Sequence, residues 1–156
     1  MDAWTDNRDF ILRHGSLLLR SYRRWTGSNL IEPCGDEALD AKKLFEVDFV
    51  VVSAGADAEQ LLNYANASAL RLWEMDWATL TATPSRQTAE PMHRSERAEF
   101  LRRVREKGFI DDYSGIRISS SGQRFLIQMA TVWNLVDESD LYLGQAATFS
   151  NWKFIE

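Results

Sequence analysis

Apolar and aromatic residues fall at steps of three and four through residues 5–26, which predicts an amphipathic helix. The stripe consists of Phe10, Ile11, His14, Leu17, Leu18, Tyr22 and Trp25. Gly27 can end this helix in the left-handed conformation, whereas Gly15 inside it costs roughly 1 kcal/mol relative to alanine. A second and shorter helix is predicted from Asp36, which can serve as its N-cap, to about Phe45.

Two short strands follow, and after them a helix that carries two tryptophans. Residues 49–53, FVVVS, are a β-branched run typical of a buried strand, and residues 60–64 predict a second one. Asn66 can then cap a helix, because its side-chain oxygen can accept a backbone N–H of the first turn. The apolar residues of that helix recur at i, i+3 and i+7, and we expect them on one face: Leu70, Trp73 and Trp77.

The second half of the chain predicts one more helix and three strands. Pro91 suits the first turn of a helix that runs to Lys107, where Gly108 ends it. Alternating patterns predict strands at residues 110–119, 124–136 and 141–150. The order of elements predicts an α+β domain. Its core is a five-stranded antiparallel sheet with helices on one face, preceded by the extra N-terminal helix.

Composition narrows the class of protein. The chain has 156 residues, 45% of them hydrophobic and 26% charged, as expected of one globular domain. Its net charge of −5 argues against nucleic-acid binding. The single cysteine, Cys34, excludes an intrachain disulfide, and no apolar run reaches the ~20 residues of a membrane span. Since a signal-peptide pattern is also missing, we expect a cytoplasmic protein with neither membrane nor nucleic acid as a partner.

Several sequence blocks, in order, resemble the bacterial members of the MEKHLA-domain family. They are LLLRSYRRWTG, LFEVDFVVVSAG, LNYANASALRLWEMDW, PSRQTAEP, FIDDYSGIRISSSGQRF and VWNLVDESDLYLGQAATFSNW, from about Leu17 to Trp152. The family is regarded as PAS-like, and it also occurs at the C-terminus of plant class III homeodomain–leucine zipper regulators. The resemblance implies a PAS-like domain at residues 36–152, with residues 1–28 as a helical cap or interface. This sequence has no homeodomain or zipper segment, so the resemblance implies no DNA-binding role.

The resemblance implies a sensory or regulatory module, and our first hypothesis is that this module binds a small molecule between sheet and helices. Such a module would signal through association, as a homodimer or with a separate signalling protein. The candidate interface residues on the N-terminal stripe are His14, Leu18, Tyr22 and Trp25. One alternative is a ligand-free interaction module, because six Trp and eight Phe can fill a core of this size. The other is a small α+β enzyme with Asp111, Asp112 or His93 as base, which no catalytic spacing supports; we therefore predict no enzyme.

Eight residues are candidate ligand contacts. Three lie at the start and on the apolar face of the tryptophan helix: Asn66, Trp73 and Trp77. Two lie in the irregular segment that flanks the ligand in PAS domains: Arg86 and Thr88. Three are polar residues within otherwise apolar strands: Tyr113, Gln128 and Gln145.

Strict alternation fixes the expected orientation of the strand candidates. It places Gln128 on one face with Leu126, Ala130, Val132 and Asn134. It places Gln145 on one face with Leu143, Ala147 and Phe149. Arg117 shares a face with Tyr113, and we expect it at the surface. We expect Arg86 to pair with Glu90 or with an anionic ligand group.

The sequence leaves the cofactor open. Flavin-binding PAS relatives carry a reactive cysteine in an N-C-R-F-L-Q-like turn, and the corresponding region here, TATPSRQTAE, has none. Cys34 precedes the first strand. His93 could in principle hold haem, but a single histidine does not predict it. No cysteine pair and no His-x-x-x-His spacing predicts a metal site.

Overall fold

The computed structural model describes residues 2–90 and 94–156, and within them the chain folds as an α+β domain. The helices are α1 (Ala3–Thr26), α2 (Glu37–Glu46), α3 (Ala67–Trp73), α4 (Trp77–Leu80) and α5 (Arg94–Lys107), with a 3-10 helix at Ser85–Thr88. The strands are β1 (Val50–Gly55), β2 (Leu62–Ala65), β3 (Phe109–Ile118), β4 (Arg124–Val136), β5 (Tyr142–Phe149) and β6 (Asn151–Ile155). The predicted helix start at Pro91 lies outside the described residues.

All six strands belong to one antiparallel sheet, in the order β2–β1–β5–β4–β3, with β6 beside the first part of β4. The predicted antiparallel sheet is therefore confirmed, with one strand more than the sequence indicated. On the edge away from β3, strand β4 has two partners in succession: β6 pairs with residues 124–128 and β5 with residues 131–136. Met129 lies between these two stretches with a φ of 54°, which is a left-handed conformation.

The two faces of the sheet carry different helices. Helices α1 and α2 cover one face, which we call the outer face, and α3, α4 and α5 lie against the other, the inner face. The predicted amphipathic helix at the N-terminus is confirmed. Packing explains the glycine at position 15, because a Cβ there would lie 2.7 Å from the Cβ of Ala41 on α2. The helix deviates at Asn7 instead, whose φ of −129° is not helical.

Each face has its own hydrophobic core. Under α3, α4 and α5 the buried set includes Val52, Trp73, Val104, Phe125 and Phe149. Under α1 and α2 it includes Ile11, Leu18, Leu44, Tyr64 and Trp133. The side chains of β1 alternate between the two cores, since Val50 and Val52 point inward and Val51 points outward. A continuous apolar run such as FVVVS is what a strand covered on both faces requires.

Asn66 joins three elements through its buried side chain. Its Oδ1 accepts the backbone N–H of Ala69, which caps α3, and the N–H of Val51 on β1, each at 3.1 Å. Its Nδ2 donates to the carbonyl oxygens of Leu44 (3.2 Å) and Phe49 (2.9 Å). The residue is 0% exposed. It therefore fixes the start of α3 against both β1 and the end of α2.

We expect Asn66→Ala to lower the free energy of unfolding by roughly 3–4 kcal/mol, because it removes a helix cap and leaves buried backbone groups unpaired. Urea denaturation followed by circular dichroism measures this change. Asn66→Asp keeps the acceptor for two N–H groups and loses both donated bonds, so it should also be destabilising.

Asp36→Ala is the matched control, since Asp36 caps α2 from an exposed position with bonds to the N–H groups of Ala38 and Leu39. Its loss should cost only about 1 kcal/mol. Equal losses for Asn66→Ala and Asp36→Ala would contradict the central structural role of Asn66.

Candidate functional site

A cavity of about 110 Å³ lies between the inner face of the sheet and the helices that cover it. Strands β1, β3, β4 and β5 form its floor, and Trp73 of α3, Phe100 of α5 and Thr88 of the 3-10 helix close its sides. Four of the predicted ligand contacts line it: Trp73, Thr88, Tyr113 and Gln145. This cavity is the candidate binding site.

Trp73 brings an unusual polar group to the wall of the cavity. Its indole Nε1–H is buried and has no acceptor among the described residues, although Trp73 is only 2% exposed. Its ring packs edge-on against Phe125, with centroids 5.3 Å apart. A buried N–H without an acceptor costs about 1–3 kcal/mol, so this group is available to a ligand or a water molecule.

The turn between β3 and β4 holds Trp73 in place. The backbone N–H of Ser120 donates to the carbonyl of Trp73 at 3.0 Å, and the hydroxyl of Ser120 donates to the carbonyl of Glu74 at 2.6 Å. Ser119 and Ser121 both donate to the carboxylate of Glu74, and these bonds lower its pKa. Glu74 itself adopts a left-handed conformation that ends α3.

The other polar side chains at the cavity are partly satisfied within the chain. Thr88 donates to the carbonyl of Ser85 at 2.8 Å. Gln145 donates to Oδ1 of Asn134 on the neighbouring strand at 3.4 Å. The guanidinium of Arg117 lies over the ring of Tyr113, 5.5 Å from its centroid. The cavity therefore has donors and acceptors around a mainly apolar floor.

Two irregular positions decide which strand residues face the cavity. Gly144 has a φ of 144°, and a Cβ there would lie 2.2 Å from the carbonyl oxygen of Ala54. Across this position Gln145 lines the cavity while Leu143 packs in the outer core, so the expected shared face of Leu143 and Gln145 is wrong. The sequence alone cannot show such a break in alternation.

The predicted orientation of Gln128 is wrong for the same kind of reason. It was expected to share a face with Ala130, but the left-handed residue Met129 intervenes and shifts the alternation by one. As a result Ile127 and Ala130 both face inward, while Gln128 is exposed and does not line the cavity. We therefore remove Gln128 from the candidate ligand contacts.

Three further candidates also lie away from the cavity. Asn66 uses its side chain to join α2, β1 and α3, as described above. Trp77 does not share a face with Trp73, because α3 ends at Trp73 and Asp76 caps a new helix, so Trp77 packs in the outer core. Arg86 is exposed and pairs with Glu59 at 3.4 Å instead of with Glu90, which pairs with Arg124.

The sequence missed several residues of the cavity. Arg117 was expected at the surface, but it is half-buried and lines the site. Gln60, Ser85 and Tyr142 also line it. The shared strand face of Tyr113 and Arg117 was the one available signal. The other three lie in a turn, a 3-10 helix and a strand end, which have no periodic pattern.

The candidate interface residues of α1 are covered within the chain. Leu18 is fully buried and His14 nearly so. Tyr22 packs edge-on against Trp133, with ring centroids 5.1 Å apart. Trp25 donates to the carbonyl oxygen of Asn134 at 2.9 Å. The stripe thus packs on the protein's own sheet in this conformation, and its place between two subunits stays a prediction.

His14 lies in an uncharged environment. Its Nε2–H donates to Oγ of Ser53 at 2.8 Å, and Ser53 donates in turn to Oδ1 of Asn63 at 2.6 Å. Its ring stacks between Phe10 and Tyr64, at 5.0 and 5.4 Å between centroids. Burial lowers the pKa of His14 to about 4 and raises the pKa of Tyr64. Ser53 is also buried, and it lines the cavity on the inner face.

Other arrangements that would indicate chemistry receive no support in the described part of the chain. Cys34 is exposed in the connection before α2. Asp111 and Asp112 are exposed, and Asp112 pairs with Arg103 at 2.9 Å. His93 lies outside the described residues. Among residues 2–90 and 94–156 no group of three His, Cys, Asp or Glu is arranged to hold a metal, and no helix has the length and hydropathy of a membrane span.

Known proteins similar to this chain agree with the fold. The sequence model of the MEKHLA domain matches residues 12–154. The homeobox-leucine zipper protein ATHB-9 of Arabidopsis thaliana is 25% identical over 144 residues, which are 88% of this chain and 17% of that protein. The chain thus spans about a sixth of the length of this curated relative.

Solved structures of PAS and light-oxygen-voltage (LOV) domains share the architecture. The PAS domain of a protein from Colwellia psychrerythraea superimposes with a TM-score of 0.62 at 14% identity, covering 77% of this chain and 98% of that chain. The light-state dimer of the fungal blue-light photoreceptor Vivid gives 0.59 at 13% identity, covering 88% and 93%. The LOV domain of Aureochrome1 gives 0.52 at 16% identity, covering 79% and 88%. These likenesses show a PAS fold.

The low pKa of His14 predicts that the protein loses stability in mild acid. The folded state keeps His14 neutral down to about pH 4, whereas an unfolded histidine takes up a proton near its usual pKa of 6.5. The contribution of His14 is therefore complete above pH 6.5 and falls by about 1.4 kcal/mol per pH unit between pH 6.5 and 4.

His14→Gln isolates this contribution, because glutamine does not titrate and can still donate to Ser53. Urea denaturation from pH 7.5 to 4 should show a steeper loss of stability in the wild type than in His14→Gln. Parallel pH profiles of wild type and His14→Gln would contradict the lowered pKa, because they would mean that His14 takes up its proton at the same pH in the folded and unfolded states.

Proposed function

The chain belongs to the MEKHLA domain family, and from this premise we propose that it is a PAS-type sensory module that binds a small molecule. The ligand would occupy the cavity on the inner face of the sheet. The observation that carries the proposal is the cavity itself, and one of its lining residues, Trp73, has a buried Nε1–H without an acceptor among the described residues. A bound molecule that accepts this hydrogen bond would remove the cost of burying it.

The size of the cavity limits the ligand. Its volume of about 110 Å³ is below the ~300 Å³ at which ligand clefts usually begin. One similar structure concerns a flavin analogue and the mechanism of a LOV domain. The site described here is too small for a flavin, and no cysteine lines it that could form a flavin adduct. We propose a ligand no larger than a single ring or a short chain.

We propose that the signal leaves through α1. The cavity and α1 lie on opposite faces of the same strands, and Asn134 contacts both sides. Its side chain accepts a bond from Gln145 in the cavity wall, and its carbonyl accepts the indole N–H of Trp25 on α1. A ligand that moves Gln145 would change the position of Asn134 and weaken or strengthen the docking of α1.

Release of α1 would expose the stripe formed by His14, Leu18, Tyr22 and Trp25. That stripe is then the proposed contact for a second copy of the chain or for a separate signalling protein. Vivid is described as a dimer in its light state, which is a property of that protein. A homodimer and a cytoplasmic location both remain part of the proposal for this chain.

The second candidate function is a ligand-free interaction module. The observation in its favour is the same small volume, because a cavity of about 110 Å³ can also be a packing defect that holds water. In that case the domain would act through its surface alone. Occupancy of the cavity separates the two functions, and neither of them requires catalysis.

We expect native mass spectrometry of protein purified from a near-native host to detect a small bound species that is lost on denaturation. Ala147 lines the cavity, and Ala147→Ile adds three carbon atoms there, so this variant should carry no bound species. Ala38→Ile is the matched control, because Ala38 is exposed on α2 and far from the cavity wall.

The two candidate functions differ in the outcome for the filled variant. If wild type is empty and Ala147→Ile is as stable as wild type or more so, the ligand-binding function is contradicted and the interaction module is favoured. Loss of the bound species from both Ala147→Ile and Ala38→Ile would contradict the assignment of the ligand to this cavity.

Hydrogen exchange tests the proposed output. Protein as purified and protein refolded after removal of the bound species should differ in the exchange of α1 amides, residues 3–26, because ligand occupancy alters α1 docking. Trp25→Phe, which removes the N–H donated to Asn134, should reduce that difference. A change confined to the helices of the inner face would contradict signalling through α1.

A further inference from the structure

Among the described residues that line the cavity, Arg117 has a charged side chain. No aspartate, glutamate, lysine or histidine is among these lining residues. It extends from the inner face of β3 over the ring of Tyr113 and is half-buried. No carboxylate of the described residues lies within salt-bridge distance of it. Other partly exposed arginines have such a partner, as Arg103 has in Asp112 and Arg124 in Glu90.

Trp73 supplies a second donor among the residues that line the cavity. In the register of the sheet Arg117 is the direct neighbour of Phe125 on β4, and the ring of Phe125 packs edge-on against Trp73. Arg117 and Trp73 therefore flank the same phenylalanine. Among the described residues the guanidinium has no carboxylate at salt-bridge distance and the indole N–H has no acceptor, so an anionic, hydrogen-bond-accepting group in the cavity would offset the cost of burying them.

Part of the remaining wall is apolar. Side chains from four strands form this part of the wall: Val52, Leu62, Ile127, Val132 and Phe149. An inorganic anion would leave this surface without a partner, whereas a molecule with a hydrocarbon part would cover it. An apolar cavity of roughly 150 Å³ can hold benzene, so about 110 Å³ suits a chain of a few carbon atoms.

Building on the proposed function, we propose that the ligand is a small organic carboxylate. Its carboxylate would bind the guanidinium of Arg117 and accept the Nε1–H of Trp73, and its hydrocarbon part would lie on the apolar strand residues. The positive charge of Arg117 selects for an anion, and the volume of the cavity selects for a short one. The guanidinium lies over the ring of Tyr113, and this cation–π contact helps to hold it in place.

Isothermal titration calorimetry tests this inference with the straight-chain acids from acetate to hexanoate and with the corresponding neutral amides. We expect the acids of intermediate length to bind best, because shorter ones leave apolar surface uncovered and longer ones exceed the cavity. Each acid should bind better than its amide. Arg117→Gln should weaken binding of the acids by about tenfold to a hundredfold and leave the amides nearly unchanged.

Arg103→Gln is the matched control, since it removes the same charge from a partly exposed arginine that does not line the cavity. It should bind the acids as the wild type does. Arg117→Lys, which keeps the charge and loses the planar fork, should restore part of the affinity lost in Arg117→Gln. Circular dichroism and urea denaturation establish that each variant is folded before titration.

Failure of the carboxylate inference and failure of the proposed function give different results. If the amides bind as well as the acids, or if Arg117→Gln binds the acids like wild type, the carboxylate class is overturned while a ligand site remains. If no acid binds although native mass spectrometry shows a bound species, the inference is likewise overturned. If no acid binds and the protein is also empty as purified, both the inference and the sensory function fall.

Discussion

The buried side chain of Asn66 is the contact on which the arrangement of this domain depends. With four hydrogen bonds it ties the first turn of α3 to β1 and to the end of α2. Because α3 begins there, Trp73 at its other end is carried to the wall of the cavity, where the β3–β4 turn holds it. Asn66 was predicted from the sequence to contact a ligand, but its side chain instead positions Trp73. Its amide is fully used by the backbone, which leaves none of it for a ligand.

The two faces of the sheet differ in what covers them. The inner face has the cavity and, among the described residues, the buried N–H of Trp73 without an acceptor and Arg117 without a carboxylate at salt-bridge distance. The outer face is covered by α1, which buries the stripe that would otherwise be free to associate. Asn134 is hydrogen-bonded to residues on both faces, and we propose that occupancy of the cavity affects the docking of α1 through it. In this scheme association depends on whether α1 is docked.

Much of the fold follows from the sequence, because long periodic segments and helix caps have local causes. The stripe of α1, the caps at Asp36 and Asn66, and the alternating strands lead directly to an α+β domain with an antiparallel sheet. The candidate site follows less well, because it depends on departures from periodicity. Left-handed residues at Met129 and Gly144 shift the alternation of β4 and β5, which turns Gln128 outward and separates Leu143 from Gln145. Such shifts depend on how the strands pair across the sheet, and the pattern of the local sequence does not predict them.

The cavity is small, and its content decides between a sensor and a module that acts only through its surface. The most direct measurement is a high-resolution crystal structure of the protein purified from a near-native host without refolding. We expect compact electron density in the cavity, within hydrogen-bond distance of Nε1 of Trp73 and continuous with the guanidinium of Arg117. A cavity that contains only ordered water, or that neighbouring side chains have closed, would contradict the assignment of this protein as a ligand-binding sensory domain.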